Sequence, residues 1–164
     1  MPTRKIGVWL GEAVKKIQGD KNWQKEDNGE LWDSHGIDDE AILVIHFPSG
    51  LEFKDYSKIT FMKQKKGIVY NVITTPLADT ESYDLTLKKA RSIAEQLKIS
   101  KANPFWTKLD DWKKNPPKGN PFFFVSKRSG CELEKNVELI LDVKPQDDTG
   151  LKWYVSCDFT YTKE

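Results

Sequence analysis

The stretch from 134 to 161, EKNVELILDVKPQDDTGLKWYVSCDFTY, alternates apolar and polar residues on both sides of a polar centre. The apolar residues at every second position are Val137, Leu139, Leu141 and Val143, then Leu151, Trp153, Val155, Cys157, Phe159 and Tyr161. A period of two is that of a strand with one buried face. The segment Pro145–Gly150 between the two arms is rich in turn-forming residues. The stretch therefore predicts an antiparallel hairpin that ends the chain.

More strands are predicted upstream of this hairpin. Apolar runs separated by the turn-like segments Pro48–Gly50 and Lys65–Gly67 predict a four-stranded meander. Its strands are Ala41–Phe47, Leu51–Asp55, Ile59–Lys63 and Ile68–Thr75. A further strand, Phe122–Ser126, is expected before a turn at Lys127–Gly130.

Three segments have the spacing of helices. Ile6, Trp9, Leu10, Ala13, Val14 and Ile17 recur at helical intervals and predict a helix over residues 4 to 18. The same reasoning predicts helices over 82–99 and Phe105–Lys114. The predicted fold is α+β, with about seven antiparallel strands in the order α-ββββ-α-α-βββ and helices packed on the sheet. We expect residues 1–164 to form a single domain.

Composition narrows the class of partner. The 164 residues carry 26 Lys and Arg against 25 Asp and Glu, for a formal charge of +1, and include six Trp and eight Phe. Such aromatic content predicts a folded core, and near-neutrality argues against a bulk binder of nucleic acid. No apolar run reaches the roughly 20 residues of a membrane span. We expect a soluble chain, cytoplasmic, or periplasmic if a signal sequence preceded residue 1.

The two cysteines are not expected to pair. If Val143 lies near Leu151 in the last hairpin, Cys157 lies near Val137, and Cys131 is then about 20 Å away along the neighbouring strand. A disulfide needs Cα atoms within about 7 Å.

Few residues are suited to catalysis. The strand Ala41–Phe47 places His46 on one face with Ile42 and Val44, which predicts a structural role. His35 lies in an acidic loop, where a carboxylate could make it a general base. No nucleotide-binding, zinc or EF-hand spacing occurs, so neither a cofactor nor a metal is expected.

Charge is segregated along the chain. Residues 20–40 carry a net charge of −6 and residues 88–118 a net charge of +6. Such segregation steers association between proteins. We therefore predict a non-enzymatic protein-binding domain, most concretely a bacterial inhibitor or immunity-type protein that neutralises a toxin or effector enzyme. The predicted contact residues are Trp32, Asp33, His35, Asp38, Asp39 and Glu40, with Lys113, Lys114 and Lys118 as a second group.

Two other functions stay open at this level. One is an accessory or structural domain of the cell envelope, and the other is a hydrolase that uses His35. The basic segment also contains Phe105, Trp106 and Trp112, a mixture found in grooves that stack single-stranded nucleic acid. Their helical spacing favours core packing instead, and we do not expect a nucleic-acid partner.

Overall fold

The computed structural model describes residues 4–19, 23–25, 30–33, 41–76, 82–114, 126–146 and 149–164. The strands in these ranges are β1 (Arg4–Trp9), β2 (Gln18–Gly19), β3 (Trp23–Lys25), β4 (Glu30–Asp33), β5 (Ala41–His46), β6 (Glu52–Lys65), β7 (Ile68–Pro76), β8 (Lys127–Glu134), β9 (Val137–Pro145) and β10 (Trp153–Tyr161). The α-helices are α1 (Tyr83–Gln96) and α2 (Pro104–Lys114), and Val14–Lys16 form one turn of 3₁₀-helix. The described chain is thus mostly sheet, with two α-helices.

The strands form one mixed sheet in the order β2-β1-β5-β6-β7-β10-β9-β8. β4 pairs with β6 beyond the end of β5, and β3 pairs with β4. All neighbours are antiparallel except β1 and β5, which are parallel. The α+β prediction holds at this level, but the element order and the purely antiparallel sheet were wrong.

The predicted helix over residues 4–18 is the largest correction. This segment forms β1, the 3₁₀ turn and β2. Ile6, Val8 and Leu10 are buried at every second position, which is the period of a strand. The segment forms a strand because it pairs with β5 and its apolar side chains pack in the core. The spacing of Trp9, Ala13 and Val14 is nevertheless that of one face of a helix.

Two strands of the predicted meander are one. β6 begins at Glu52 and contains the rest of the predicted strand Leu51–Asp55 and all of Ile59–Lys63, with a shift of register between Ser57 and Thr60. A bulge of this kind adds residues on one side of a ladder and bends the strand. The bend explains why the sequence alternation breaks there without ending the strand.

The other boundaries follow the sequence more closely. The turn at Lys65–Gly67 is confirmed: Lys66 and Gly67 have φ values of 54° and 77°, as a two-residue hairpin turn needs. Helices α1 and α2 are confirmed within a few residues. The turn predicted at Lys127–Gly130 was wrong, because these residues begin β8. Of the predicted strand Phe122–Ser126, only Ser126 lies within the described residues, and it is not in a strand.

The bent sheet curls back on itself. Phe47 and Phe53, at the β5–β6 turn, pack on Phe159 of β10 with ring centroids 5.2 and 5.5 Å away. In the same turn, Ser49 donates from N and Oγ to the Glu134 carboxylate at the end of β8, at 2.9 and 2.6 Å. The inner side of the curl, covered also by α1 and α2, holds the core.

Candidate functional site

The outward side chains of β1, β5 and the first half of β6 form a surface that we call the open face. The strand register aligns them in three rows: Lys5, Ile42 and Tyr56; Gly7, Val44 and Lys54; Trp9, His46 and Glu52. The helices pack on β8, β9 and β10, and α1 also contacts β6 through Gln96 and Lys89. Tyr56 retains 48% of its accessible surface, and the other apolar members are half-buried.

Strand alternation fixes which side chains face outward. Ile6 and Val8 of β1, Leu43 and Ile45 of β5, and Phe53 of β6 are all at most 1% exposed. Their neighbours therefore point to the opposite side of the sheet. This confirms the prediction that His46 shares a face with Ile42 and Val44.

The third row contains the most specific arrangement. The rings of Trp9 and His46 are stacked, with centroids 4.2 Å apart and planes 7° from parallel. His46 Nδ1 lies 3.1 Å from Glu52 Oε1. On the other side, Lys16 Nζ lies 5.5 Å from the Trp9 ring centroid and 3.7 Å from Glu12 Oε1. Trp9 and His46 are thus held in a chain of charged and aromatic groups, consistent with a structural role for His46.

Gly7 makes room for the Trp9 indole. A Cβ atom at Gly7 would lie 3.3 Å from Cζ3 of Trp9, and thus closer than most real contacts. The indole therefore leans over the glycine along β1. Gly7 itself therefore adds no side chain to the middle row of the open face.

The lysines of the open face have no ion-pair partner in the part of the chain that the structure describes. Lys5 and Lys54 are exposed, and no described residue forms an ion pair with either. The acidic member, Glu52, is already engaged with His46. The surface is therefore apolar in its centre and positive at its rim.

On a second outward surface, formed by β7, β8, β9 and β10, polar side chains form hydrogen bonds and ion pairs with one another. Arg128 donates from Nε and Nη2 to the two Asp142 oxygens at 2.8 and 3.2 Å, and Asp142 is only 8% exposed. Asn71 donates to Thr160 Oγ1 at 3.0 Å and also contacts Asp158. These polar groups hold neighbouring strands together.

The aromatic residues of the basic segment belong to the core. Phe105, Trp106 and Trp112 are at most 9% exposed. Trp106 donates from Nε1 to the Ile99 carbonyl at 3.0 Å, and Lys101 Nζ lies 3.4 Å from its ring centroid. These rings are not free to stack on nucleic-acid bases.

Neither thiol has the environment of a nucleophile. Burial raises the pKa of both Cys131 and Cys157, and for Cys157 nearby carboxylates, first that of Asp55, raise the pKa further. Reactive cysteines have lowered pKa values. The register also separates the pair, because Cys131 lies opposite Leu139 and Cys157 opposite Leu141 on the two sides of β9. Two strand spacings are about 10 Å, so the expectation that they do not pair holds, although the predicted register was shifted.

The structure places only part of the predicted contact set. Trp32 and Asp33 lie in β4, where Trp32 is opposite Phe61 of β6. Lys113 and Lys114 are exposed at the end of α2. The two groups have different neighbours, because β4 packs against β3 and β6 whereas α2 packs against α1 and β8. His35, Asp38, Asp39, Glu40 and Lys118 lie outside the described residues.

Sequence reasoning missed the contribution of β1 to the open face. Lys5, Gly7 and Trp9 were assigned to a helix, which would have scattered them over different sides. The signal that could have found them is the alternation of Ile6, Val8 and Leu10 around Gly7.

The described chain offers neither a cluster of metal ligands nor a helix that could span a membrane. No group of three or more His, Cys, Asp and Glu side chains within it could hold a metal ion. No helix in those ranges is long and apolar enough to cross a membrane. Comparisons of the chain with protein-family models, curated proteins and solved structures found no match.

Proposed function

We propose that this chain is a non-catalytic domain that binds another protein through the open face. An inhibitor or immunity-type protein that neutralises a toxin or effector enzyme is the most concrete form of this function. The observation that carries the proposal is Tyr56, nearly half exposed on a paired strand and opposite Ile42 in the register.

The composition of the open face suits an interface. Protein interfaces combine an apolar centre containing Trp and Tyr with a polar rim. Here Ile42 and Val44 lie on the middle strand, with Trp9 on β1 and Tyr56 on β6 at opposite corners of the face. The charged residues Lys5, Lys54 and Glu52 occupy other positions on those two outer strands. Because all of these residues are on hydrogen-bonded strands, little backbone conformational entropy is lost on binding.

The reactive groups of the described chain also favour binding over chemistry. Both thiols have raised pKa values because of burial, so little thiolate forms near neutral pH. His46 is stacked on Trp9 and pairs with Glu52. These contacts give His46 a role in shaping the surface.

A capture experiment tests this function. Immobilised wild-type protein should retain a specific protein from its native source, and the purified partner should then bind in calorimetry. Tyr56→Asp should weaken that affinity more than about 10-fold, because it replaces an exposed aromatic ring beside Ile42 with a charge.

Leu151→Asp is the matched control, since Leu151 is 74% exposed and lies outside the open face. It should leave the affinity unchanged. Equal affinity of the wild type and Tyr56→Asp would exclude the open face as the site. Failure to retain any stoichiometric partner would favour the accessory role in the cell envelope instead.

A further inference from the structure

We infer that the partner is acidic where it covers the open face, and that its carboxylates pair with Lys5 and Lys54 while an apolar side chain packs on Ile42 and Val44. This inference rests on the proposed function and adds the chemistry of the partner.

The pairing of charges around the face supports an acidic partner. Glu52 is engaged with His46, and the nearby Glu12 with Lys16. Lys5 and Lys54 have no such partner among the described residues. The described members of the open face therefore carry two Lys against one Glu, a positive net charge. Complementary charge selects partners and speeds association.

The two lysines lie on either side of the apolar centre. Lys5 is on β1 and Lys54 on β6, the two neighbours of β5. Two strand spacings across the sheet, about 10 Å, and an offset of two residues along the strands, about 7 Å, place their Cα atoms about 12 Å apart. An extended segment or a helix of the partner could place one apolar side chain between two carboxylates at this separation.

The backbone at both lysines is fixed. The Gln96 side chain accepts from Lys54 N at 2.9 Å and donates to Lys54 O at 3.1 Å. Lys5 lies in β1, which is paired on one side to β5 and on the other to β2. The ammonium groups of Lys5 and Lys54 therefore extend from fixed backbone positions.

The apolar centre favours a protein over a nucleic acid. Single-stranded nucleic acid is bound by aromatic rings with a free face. The Trp9 ring has His46 stacked on it and Lys16 nearby. Ile42 and Val44 offer aliphatic contacts, which suit side chains better than a sugar-phosphate backbone.

Peptide selection tests the chemistry without a known partner. Phage displaying random dodecapeptides should be selected on the wild-type protein, and the enriched peptides should combine Asp or Glu with aliphatic or aromatic residues. Synthetic copies should bind Lys5→Glu/Lys54→Glu at least 10-fold more weakly. Lys108→Glu/Lys152→Glu is the matched control, because it makes the same charge change at exposed lysines outside the open face and should bind normally.

The outcomes separate this inference from the proposed function. Selected peptides that lack acidic residues but lose binding to Tyr56→Asp would overturn the inference and leave the proposed function standing. Peptides insensitive to both Tyr56→Asp and Lys5→Glu/Lys54→Glu would overturn both. A 20-nucleotide single-stranded DNA that binds the wild type and not Lys5→Glu/Lys54→Glu would replace the acidic protein with a nucleic acid.

Discussion

Three buried hydroxyl groups lie where β6 changes register. Ser57 Oγ is 2.5 Å from Thr74 Oγ1 and 3.3 Å from Thr60 Oγ1, and all three side chains are at most 4% exposed. A buried hydroxyl is costly unless it has a hydrogen-bonding partner. Side-chain hydrogen bonds therefore stabilise the strand at the point where the ladder is irregular.

The thiols differ in a way that chemical labelling can measure. Cys157 is fully buried and Cys131 half-buried, and burial raises the pKa of each. We predict that iodoacetamide labels the folded protein only at Cys131, more slowly than a free cysteine at pH 8. The rate should rise as the pH is raised toward 10, because thiolate forms only at high pH.

Mass spectrometry of the labelled protein identifies the site. Cys131→Ser should abolish labelling of the folded protein, while both cysteines of the unfolded wild type should react. Rapid labelling of Cys157 without denaturant would contradict the packing of β10.

At the scale of elements, Tyr83 joins the two helices to the sheet. Its hydroxyl donates to the Trp112 carbonyl of α2 at 3.0 Å, and its ring meets Trp153 of β10 edge-on at 4.9 Å. Burial, with a smaller contribution from Asp84, raises the pKa of Tyr83 to about 12.

This raised pKa predicts a loss of stability in alkali. The unfolded side chain ionises near pH 10, so the contribution of Tyr83 is complete below pH 10 and falls as the pH rises toward 12. Urea unfolding at pH 9 and pH 11 should show a smaller drop in free energy for Tyr83→Phe than for the wild type. The exposed Tyr56→Phe is the control and should behave as the wild type does.

At Lys54, the edge of β6 that faces away from β5 is hydrogen-bonded by a side chain. Gln96 of α1 makes two hydrogen bonds with the backbone of Lys54, as a neighbouring strand would. Gln96→Ala should lower the free energy of unfolding by about 1 kcal/mol, since both bonds are partly solvated. Ser92→Ala, an exposed change on the same helix, should have little effect in the same urea titration. Equal stability of the two variants would mean that water replaces Gln96 without cost.

Local pattern predicted some elements well and others poorly. Ser82 caps α1 by accepting from Leu85 N, and a capping serine before an apolar stripe is visible in the sequence. The helix predicted over residues 4 to 18 was wrong because β1 pairs in parallel with β5, more than 30 residues away. No turn next to β1 in the sequence indicates such a pairing. For the same reason, the β5 part of the open face and the strand that carries Glu52 and Lys54 could be predicted, whereas the β1 part could not.

At the scale of the whole molecule, distant segments determine the shape. The bridge between Ala13 and Ile68, with Gly11 N donating to Val69 O at 2.8 Å, ties the segment after β1 to the start of β7. Ser49 and Glu134 join turns 85 residues apart. The sequence alternation indicated that a sheet would form, but these closures depend on the bend in β6, which alternation does not reveal.

Phe159 is the residue that most directly joins the two halves of the curled sheet. Its ring contacts Phe47 and Phe53 from the β5–β6 side, and its strand β10 is paired on both sides, to β7 and β9. Phe159→Ala should cost about 3–5 kcal/mol, as expected for a buried ring. Because both halves lose the same contact, unfolding followed by tryptophan fluorescence and by far-UV circular dichroism should shift together in urea.

Phe61→Ala supplies the comparison for this change. It removes the same atoms from a neighbouring part of the sheet, but Phe61 is 37% exposed and Phe159 is fully buried. We expect a loss of at most about half as much stability, since the transfer free energy scales with the area buried. If Phe159→Ala shifted the two signals to different midpoints, the halves of the sheet would unfold separately, and the contact across the curl would not be what couples them.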